Sequence, residues 1–322
     1  MPARSRTFAL LAAVLGLLLA GAALLGLDVY AHARLSRYNA LNIWGYRGPV
    51  AGRKHPGERR IVVLGGSTVF GLGLPQREAF PAQLEQQLRA TDLDVSVVNL
   101  GVDGENAFAF VDTLRDYRYL DYDGVILYEG YNNLLSTSRS ALRHASWMFR
   151  LTGYWPILPT AISEKVMLWR YHGDLGAAYA DRNRTVFSFG SHDVASSLRR
   201  QVGRLSGPPH EHERPSCDAR WSAYCDAIAN AVIAARAAGA RVLVATQPYI
   251  SDAHVEQQDS LRAMLRERFA RDAGVRYVNL GQGVIDVDDR SVAYDGMHLT
   301  ARGNAALAAS LADGAAGLIR NR

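Results

Sequence analysis

The sequence predicts an α/β fold, a parallel sheet with helices on both faces, preceded by one membrane-spanning helix. Three observations predict it. Short continuous apolar runs alternate with helix-periodic stretches, the pattern of crossover units whose strands are buried on both sides. The first run, Ile61 to Leu64, stops at Gly65-Gly66-Ser67-Thr68, and paired glycines mark a tight turn. Ahead of everything lies an uncharged stretch from Phe8 to Leu27.

Those twenty residues, mostly Leu, Ala, Val and Gly, are long enough as a helix to cross a hydrocarbon core of about 30 Å. A secretory signal has a shorter apolar region, about 7–15 residues, so length favours an uncleaved anchor over residues 1–30. The competing reading is cleavage after Ala31-His32-Ala33, a small-x-small site. Arg4 and Arg6 precede the span and Arg34, Arg37 and Arg47 follow it, so the positive-inside rule does not set the orientation. The short N-terminal tail favours placing the body that follows the span on the extracytoplasmic (periplasmic) side. Residues 31–60, basic and rich in Gly and Pro, read as a linker.

The elements of the body, 61–322, follow in order. Strand one is 61–64. A helix from about Pro81 places Phe80, Leu84 and Leu88 at four-residue spacing. Strand two is Val95 to Leu100, and a helix from about Asn106 carries Phe110, Leu114 and Tyr117. Strand three is Gly124 to Tyr128. Strand four, Arg241 to Thr246, follows a helix over Trp221 to Ala238 that stops at Gly239. Strand five, Val275 to Leu280, follows a helix through Leu261, Leu265 and Phe269. A last helix from about Thr300 carries Ala305, Leu307, Leu311 and Leu318. Residues 134–219 break the alternation and read as an insertion. Its aromatics, among them Trp147, Phe149, Tyr154, Trp155, Trp169 and Tyr171, suit an acyl pocket, a bilayer surface or plain packing onto the body.

Composition narrows the function. Hydrophobic content of 48% and charged content of 21% support a real core and exclude a disordered chain. The net charge of +5 comes from scattered arginines, without a basic-aromatic patch or a nucleic-acid motif, so no nucleic-acid partner is expected and an anionic membrane is favoured. Cys217 and Cys225 are the two cysteines. On one straight helix they would lie about 12 Å apart, beyond bridging distance. A disulfide therefore requires Cys217 on a loop before the helix, and two free thiols are the alternative.

Four segments fall at inferred strand ends: Gly65-Gly66-Ser67-Thr68, then Asn99 to Glu105 with Gly104, then Glu129-Gly130-Tyr131-Asn132-Asn133, then Asp295-Gly296-Met297-His298. Open α/β sheets carry their sites at that edge. A serine hydroxyl needs a base to become a nucleophile. His298 is such a base near neutral pH, and Asp295 lies close enough to hold its tautomer. The backbone N–H groups of Ser67 and Gly104 and the amide of Asn132 are candidate oxyanion donors, each typically worth about 2.7–4 kcal/mol. Taken singly each is weak. Ser67 alone reads as a helix cap, Asn132 as a loop asparagine and Asp295-x-x-His298 as a cap. The ordered set is what points to chemistry.

With those four segments the chain resembles the SGNH (GDSL-type) hydrolases over about 61–133 and 241–318. Ser67 matches that family's nucleophile, Gly104 the glycine of its second block, Asn132 the asparagine of its third, and Asp295 and His298 its Asp-x-x-His block. The resemblance implies a flavodoxin-like three-layer sandwich with a five-stranded parallel sheet. It also implies ester or acyl-transfer chemistry on an ester-bearing substrate, with no metal and no cofactor. Gly66 and Asn133 replace two aspartates of the family pattern, neither of them the nucleophile, base or oxyanion donor.

The expected function is an anchored serine esterase working through an acyl-enzyme on Ser67. Acetyl transfer to a cell-envelope glycan by the same residues, or a non-catalytic envelope module, are its rivals. His210-Glu211-His212-Glu213 is set aside as a metal site, lying in a polar loop without a clear fourth ligand. Gly71-Leu72-Gly73 is an incomplete dinucleotide fingerprint. Asp123 and Glu129 flank strand three without an obvious paired role, and a buried Glu129 is expected to raise the pKa of His298.

Overall fold

The strands are runs of aliphatic residues whose successive side chains point to opposite faces, and two helical layers take up the two sets. The computed structural model describes residues 3–36, 40–134, 143–170, 172, 203–281 and 285–320. Tyr171 and most of the expected insertion beyond it lie outside them.

In chain order the elements are α1 (Ala3–Leu35), β1 (Arg59–Leu64), α2 (Ser67–Phe70), α3 (Phe80–Arg89), β2 (Val95–Asn99), α4 (Phe110–Asp116) and β3 (Gly124–Tyr128). Then come α5 (Trp147–Thr152), α6 (Leu158–Arg170), α7 (Ser222–Ala237), β4 (Arg241–Ala245), α8 (Asp252–Phe269), β5 (Val275–Val278) and α9 (Ala301–Ile319). All pairings are parallel, in the order β2-β1-β3-β4-β5, which is the flavodoxin-like order. Chain direction across the sheet reverses between β1 and β3, so the carboxyl ends of those two strands frame a crevice.

On one face Ile61, Val63, Ile126 and Leu243 pack against Phe80, Leu84 and Leu88 of α3 and Leu307, Leu311 and Leu318 of α9. On the other, Val62, Leu64, Val125, Leu127, Val242 and Val244 meet Leu114 of α4, Ile228 and Val232 of α7, and Leu261 and Met264 of α8. The start of α3 is tied to α9, since Phe80 N–H donates to Asn304 Oδ1 at 2.9 Å. β5 is one of the two outer strands and its residues are only partly covered, which fits its weaker apolar run.

The stretch between α1 and β1 carries buried side chains as well as polar ones. Tyr46 is buried and its hydroxyl accepts from Ala51 N–H at 2.7 Å, while Arg47 N–H donates to Asn99 O at 3.0 Å. Cys217 precedes α7 on a loop and bridges to Cys225 within the helix, with the Cα atoms 6.6 Å apart; the loop resolves the distance problem of a single helix. Asp123 is held by cations and a backbone group. At the amino end of β3 it meets Lys54 Nζ at 2.7 Å, Arg59 Nη1 at 3.3 Å and Arg60 N–H at 2.8 Å, on the edge opposite the crevice. Glu211 accepts from Arg262 Nη1 at 2.5 Å and from Tyr249 Oη at 3.0 Å, and Glu213 pairs with Arg266 at 3.2 Å. The His-Glu loop is thus strapped to α8 by ion pairs.

Candidate active site

β1 ends and Ser67 begins α2, a single helical turn closed by Gly71 in the left-handed conformation. The turn is short, and it is held from outside. Asn99 Nδ2 donates to Val69 O at 2.8 Å, and Gln247 Nε2 donates to Thr68 Oγ1 at 2.8 Å. Ser67 therefore sits on a fixed corner over the crevice rather than on a mobile loop. Its hydroxyl is turned to His298 instead of capping the helix: Ser67 Oγ lies 2.7 Å from Nε2.

His298 is delivered by the loop before α9, whose N-cap is Thr300. Nδ1–H donates to Asp295 Oδ2 at 2.7 Å. The other carboxylate oxygen, Oδ1, accepts the backbone N–H of Met297 at 3.0 Å and of His298 at 2.7 Å. Burial raises the pKa of Asp295, but the hydrogen bond and charge of His298 and those two N–H donors outweigh it and hold the carboxyl below its usual range. Tyr294 stacks on the imidazole, with ring centroids 5.7 Å apart and planes 14° apart, and its hydroxyl donates to Leu72 O at 2.8 Å. The imidazole is thus fixed on its edge by a carboxylate and on its face by a ring.

Gly104 and Asn132 come from the ends of β2 and β3. Gly104 has φ +71°, a left-handed conformation that favours glycine. Asn132 Nδ2 donates to Glu105 O at 2.7 Å, which joins the two loops. The same nitrogen sits over Gly66, 2.1 Å from where a Cβ there would fall, so a side chain at 66 would require the Asn132 amide to move. The nearby carboxylate is Glu129, with Oε2 at 3.1 Å from the same point.

Glu129 is occupied by backbone N–H groups. Its Oε2 accepts Gly66 N–H at 2.8 Å, and its Oε1 accepts Gly130 N–H at 3.0 Å and Asn132 N–H at 3.1 Å. It is a staple between the serine turn and the asparagine loop. Burial pushes its carboxyl up to about 7, against the three N–H donors that pull it down, with the charge of Glu105 adding to the rise. Sequence marked Glu129 by its place after strand three but gave no sign of which backbone groups it would collect.

Other contributors had no sequence signal beyond their type. Gln247 Oε1 accepts Tyr131 N–H at 2.8 Å, linking β4 to both loops. Arg143 is buried and donates to Gly45 O at 2.6 Å and Leu100 O at 2.9 Å, and its Nη2 lies 3.3 Å from Glu105. Its guanidinium steadies the loop that carries Gly104.

Glu129→Gln is expected to lower kcat by up to about 10²-fold with KM little changed, because the new NH2 must face a backbone N–H and displace the turn. Its stability should also lose a pH dependence. The Glu129 proton is held more tightly in the folded chain, so this contribution is full below about pH 4.5 and gone once pH passes about 7. Urea midpoints of the wild type measured at pH 5 and pH 8 should differ more than those of the variant.

No protein-family model matches the chain, and neither does any curated protein. Solved structures do resemble it. The psychrotrophic esterase EstA from Pseudoalteromonas sp. is 12% identical, with 82% of this chain and 100% of that one covered and a TM-score of 0.45. A family 3 carbohydrate esterase from Clostridium thermocellum is 14% identical over 80% of this chain and 94% of the other, with a TM-score of 0.45. A GDSL-like lipase from Bacteroides thetaiotaomicron is 12% identical over 82% and 91%, with a TM-score of 0.43. Likeness at this level says nothing about substrate, and the function is argued from the site.

Proposed function

We propose that the protein is a serine acyl hydrolase that cleaves carboxylic esters through an acyl-enzyme on Ser67. The observation that carries this reading is the unbroken chain Ser67 Oγ, His298 Nε2, His298 Nδ1, Asp295 Oδ2, with 2.7 Å at each hydrogen bond. His298 Nε2 takes the hydroxyl proton as Oγ attacks the carbonyl carbon, and Asp295 stabilises the imidazolium. The oxyanion is met by Ser67 N–H, Gly104 N–H and the second amide proton of Asn132, the first being committed to Glu105 O. The first residue of a helical turn has no intrahelical acceptor for its N–H, which suits Ser67 for this role. His298 then gives its proton to the leaving alcohol, and water repeats the sequence to release the acid.

The acyl-enzyme can equally be resolved by a sugar hydroxyl, with the same residues in the same roles; product analysis with a glycan acceptor separates transfer from hydrolysis. The site-bearing body is proposed to lie on the extracytoplasmic side of the membrane that holds α1. The Cys217–Cys225 bridge supports this, since disulfides persist in oxidising compartments.

A fluorophosphonate probe tests the reading. It is expected to label the folded chain once, on the peptide containing Ser67, and to abolish hydrolysis of a short p-nitrophenyl ester in proportion to labelling. A folded protein that neither labels nor hydrolyses the ester would leave a non-catalytic module on this fold.

A further inference from the structure

We infer that the body is clamped to its own anchor helix and rests an apolar face, built by α5 and α6, on the bilayer that α1 crosses. This inference concerns a lipid surface and stands independently of the hydrolase reading.

The clamp is at the end of the apolar span. α1 is long and apolar enough to cross a membrane, and its most apolar window has none of its surface buried by the rest of the chain. One residue beyond Leu27 the situation reverses. Asp28 and His32, one helical turn apart, are both buried. Asp28 Oδ1 accepts Ile157 N–H at 3.0 Å and Leu158 N–H at 2.5 Å, and Oδ2 accepts from the Tyr154 hydroxyl. His32 places Nδ1 2.9 Å from Leu41 O and Nε2 2.8 Å from Trp155 O. Removing everything up to Ala33 would strip these partners from Tyr154, Trp155 and the first turn of α6. Buried polar groups left without partners cost about 1–3 kcal/mol each. The end of α1 is therefore part of the folded body, which argues for a retained anchor over a cleaved signal.

The clamp also sets the height of α6. Because Asp28 holds its first turn, α6 begins at the level where α1 leaves the hydrocarbon. From there Ile162, Val166 and Trp169 recur at four- and three-residue spacing, which puts them on one helix face, and all three are exposed, Trp169 by 83%. Trp147 and Leu151, one turn apart on α5, are 72% and 77% exposed. Exposed tryptophans grouped with aliphatics mark an interaction surface, and tryptophan is the residue enriched at the headgroup level of bilayers. Arg150, Lys165 and Arg170 are exposed on the same two helices, a charge that suits anionic headgroups. What covers the face is given by continuity: the bilayer around α1 reaches the start of α6 without any further partner.

The full chain, reconstituted in phosphatidylcholine–phosphatidylglycerol vesicles with and without dibrominated acyl chains, tests this. Bromolipid is expected to quench tryptophan emission of the wild type, and Trp147→Phe/Trp169→Phe is expected to lose more than half of the quenched component, because Trp221 is buried and Trp44 and Trp155 are partly buried against the core, whereas Trp147 and Trp169 are 72% and 83% exposed. Both substituted positions are exposed, so unchanged hydrolysis of a soluble ester or an unchanged circular dichroism spectrum establishes folding. Equal quenching in wild type and variant would overturn the docking. Blue-shifted emission without quenching would put protein, a second copy or another chain, on the face and overturn it as well. Intact mass of the protein recovered from membranes tests the anchor: retention of residues 1–33 is expected, and a mature N-terminus at Arg34 would refute the clamp.

Discussion

Ser67→Ala is expected to lower kcat/KM for a short p-nitrophenyl ester by on the order of 10⁶-fold while the protein stays folded. The size of the effect follows from how the site is built. Among the described residues the Ser67 hydroxyl is the one nucleophile hydrogen-bonded to His298 Nε2, at 2.7 Å. Any residual rate would come from the oxyanion donors and binding, which remain in place. Folding should survive because α2 is held by Asn99 and Gln247 through Val69 O and Thr68 Oγ1, not by the serine side chain. Alanine is also the best helix former for the first turn. A stability change within about 1 kcal/mol is expected, the worth of the one hydrogen bond removed. The measurement is steady-state turnover alongside a urea melt. Full activity in the variant would mean that Ser67 is not the nucleophile, whatever its distance from the imidazole.

The sheet was legible in the sequence because its strands are buried on both faces. Continuous apolar runs at 61–64, 95–100, 124–128 and 241–246 leave no competing period, and the strands observed match them to within two residues at each end. The order of the strands was available only through the resemblance, since apolar runs carry no information on which strands neighbour each other. Ser67, Asp295 and His298 were legible for a different reason: their residue types are chemically specific and two of them lie three positions apart. What the sequence hid is everything that acts through backbone groups. Glu129 collects N–H donors from residues 66, 130 and 132, and no periodicity encodes such a pattern. Gly66 read as a departure from a family motif, and nothing in its sequence neighbourhood told that the Asn132 amide packs over it. Asp28 and His32 were hidden by their surroundings. Within a long apolar helix two polar residues near its end look like the start of a linker, whereas they are the points where the helix joins the body.

Asp295→Asn is expected to cost about 10⁴-fold in kcat, far more than the loss of one surface charge. The argument is geometric. Oδ1 of Asp295 accepts two backbone N–H groups, from Met297 at 3.0 Å and His298 at 2.7 Å. An asparagine must keep its single oxygen there, because turning it would aim two N–H groups at two N–H groups. Its NH2 is then driven against Nδ1 of His298, where a carboxylate oxygen now lies at 2.7 Å. Nδ1 has to become the acceptor, the ring proton moves to Nε2, and Nε2 can no longer accept the proton of Ser67. The substitution keeps the loop and the ring in place and reverses the tautomer. In the wild type the same two N–H donors, with His298, hold the Asp295 carboxyl below its usual range despite its burial, so it stays charged opposite the imidazolium wherever the enzyme works. Fluorophosphonate labelling of Ser67 should slow in parallel with turnover, because it needs the same deprotonation. A loss smaller than about tenfold in both would show that the stacked Tyr294 ring, with its plane 14° from the imidazole, orients His298 on its own, and that the carboxylate is not what selects the reactive tautomer.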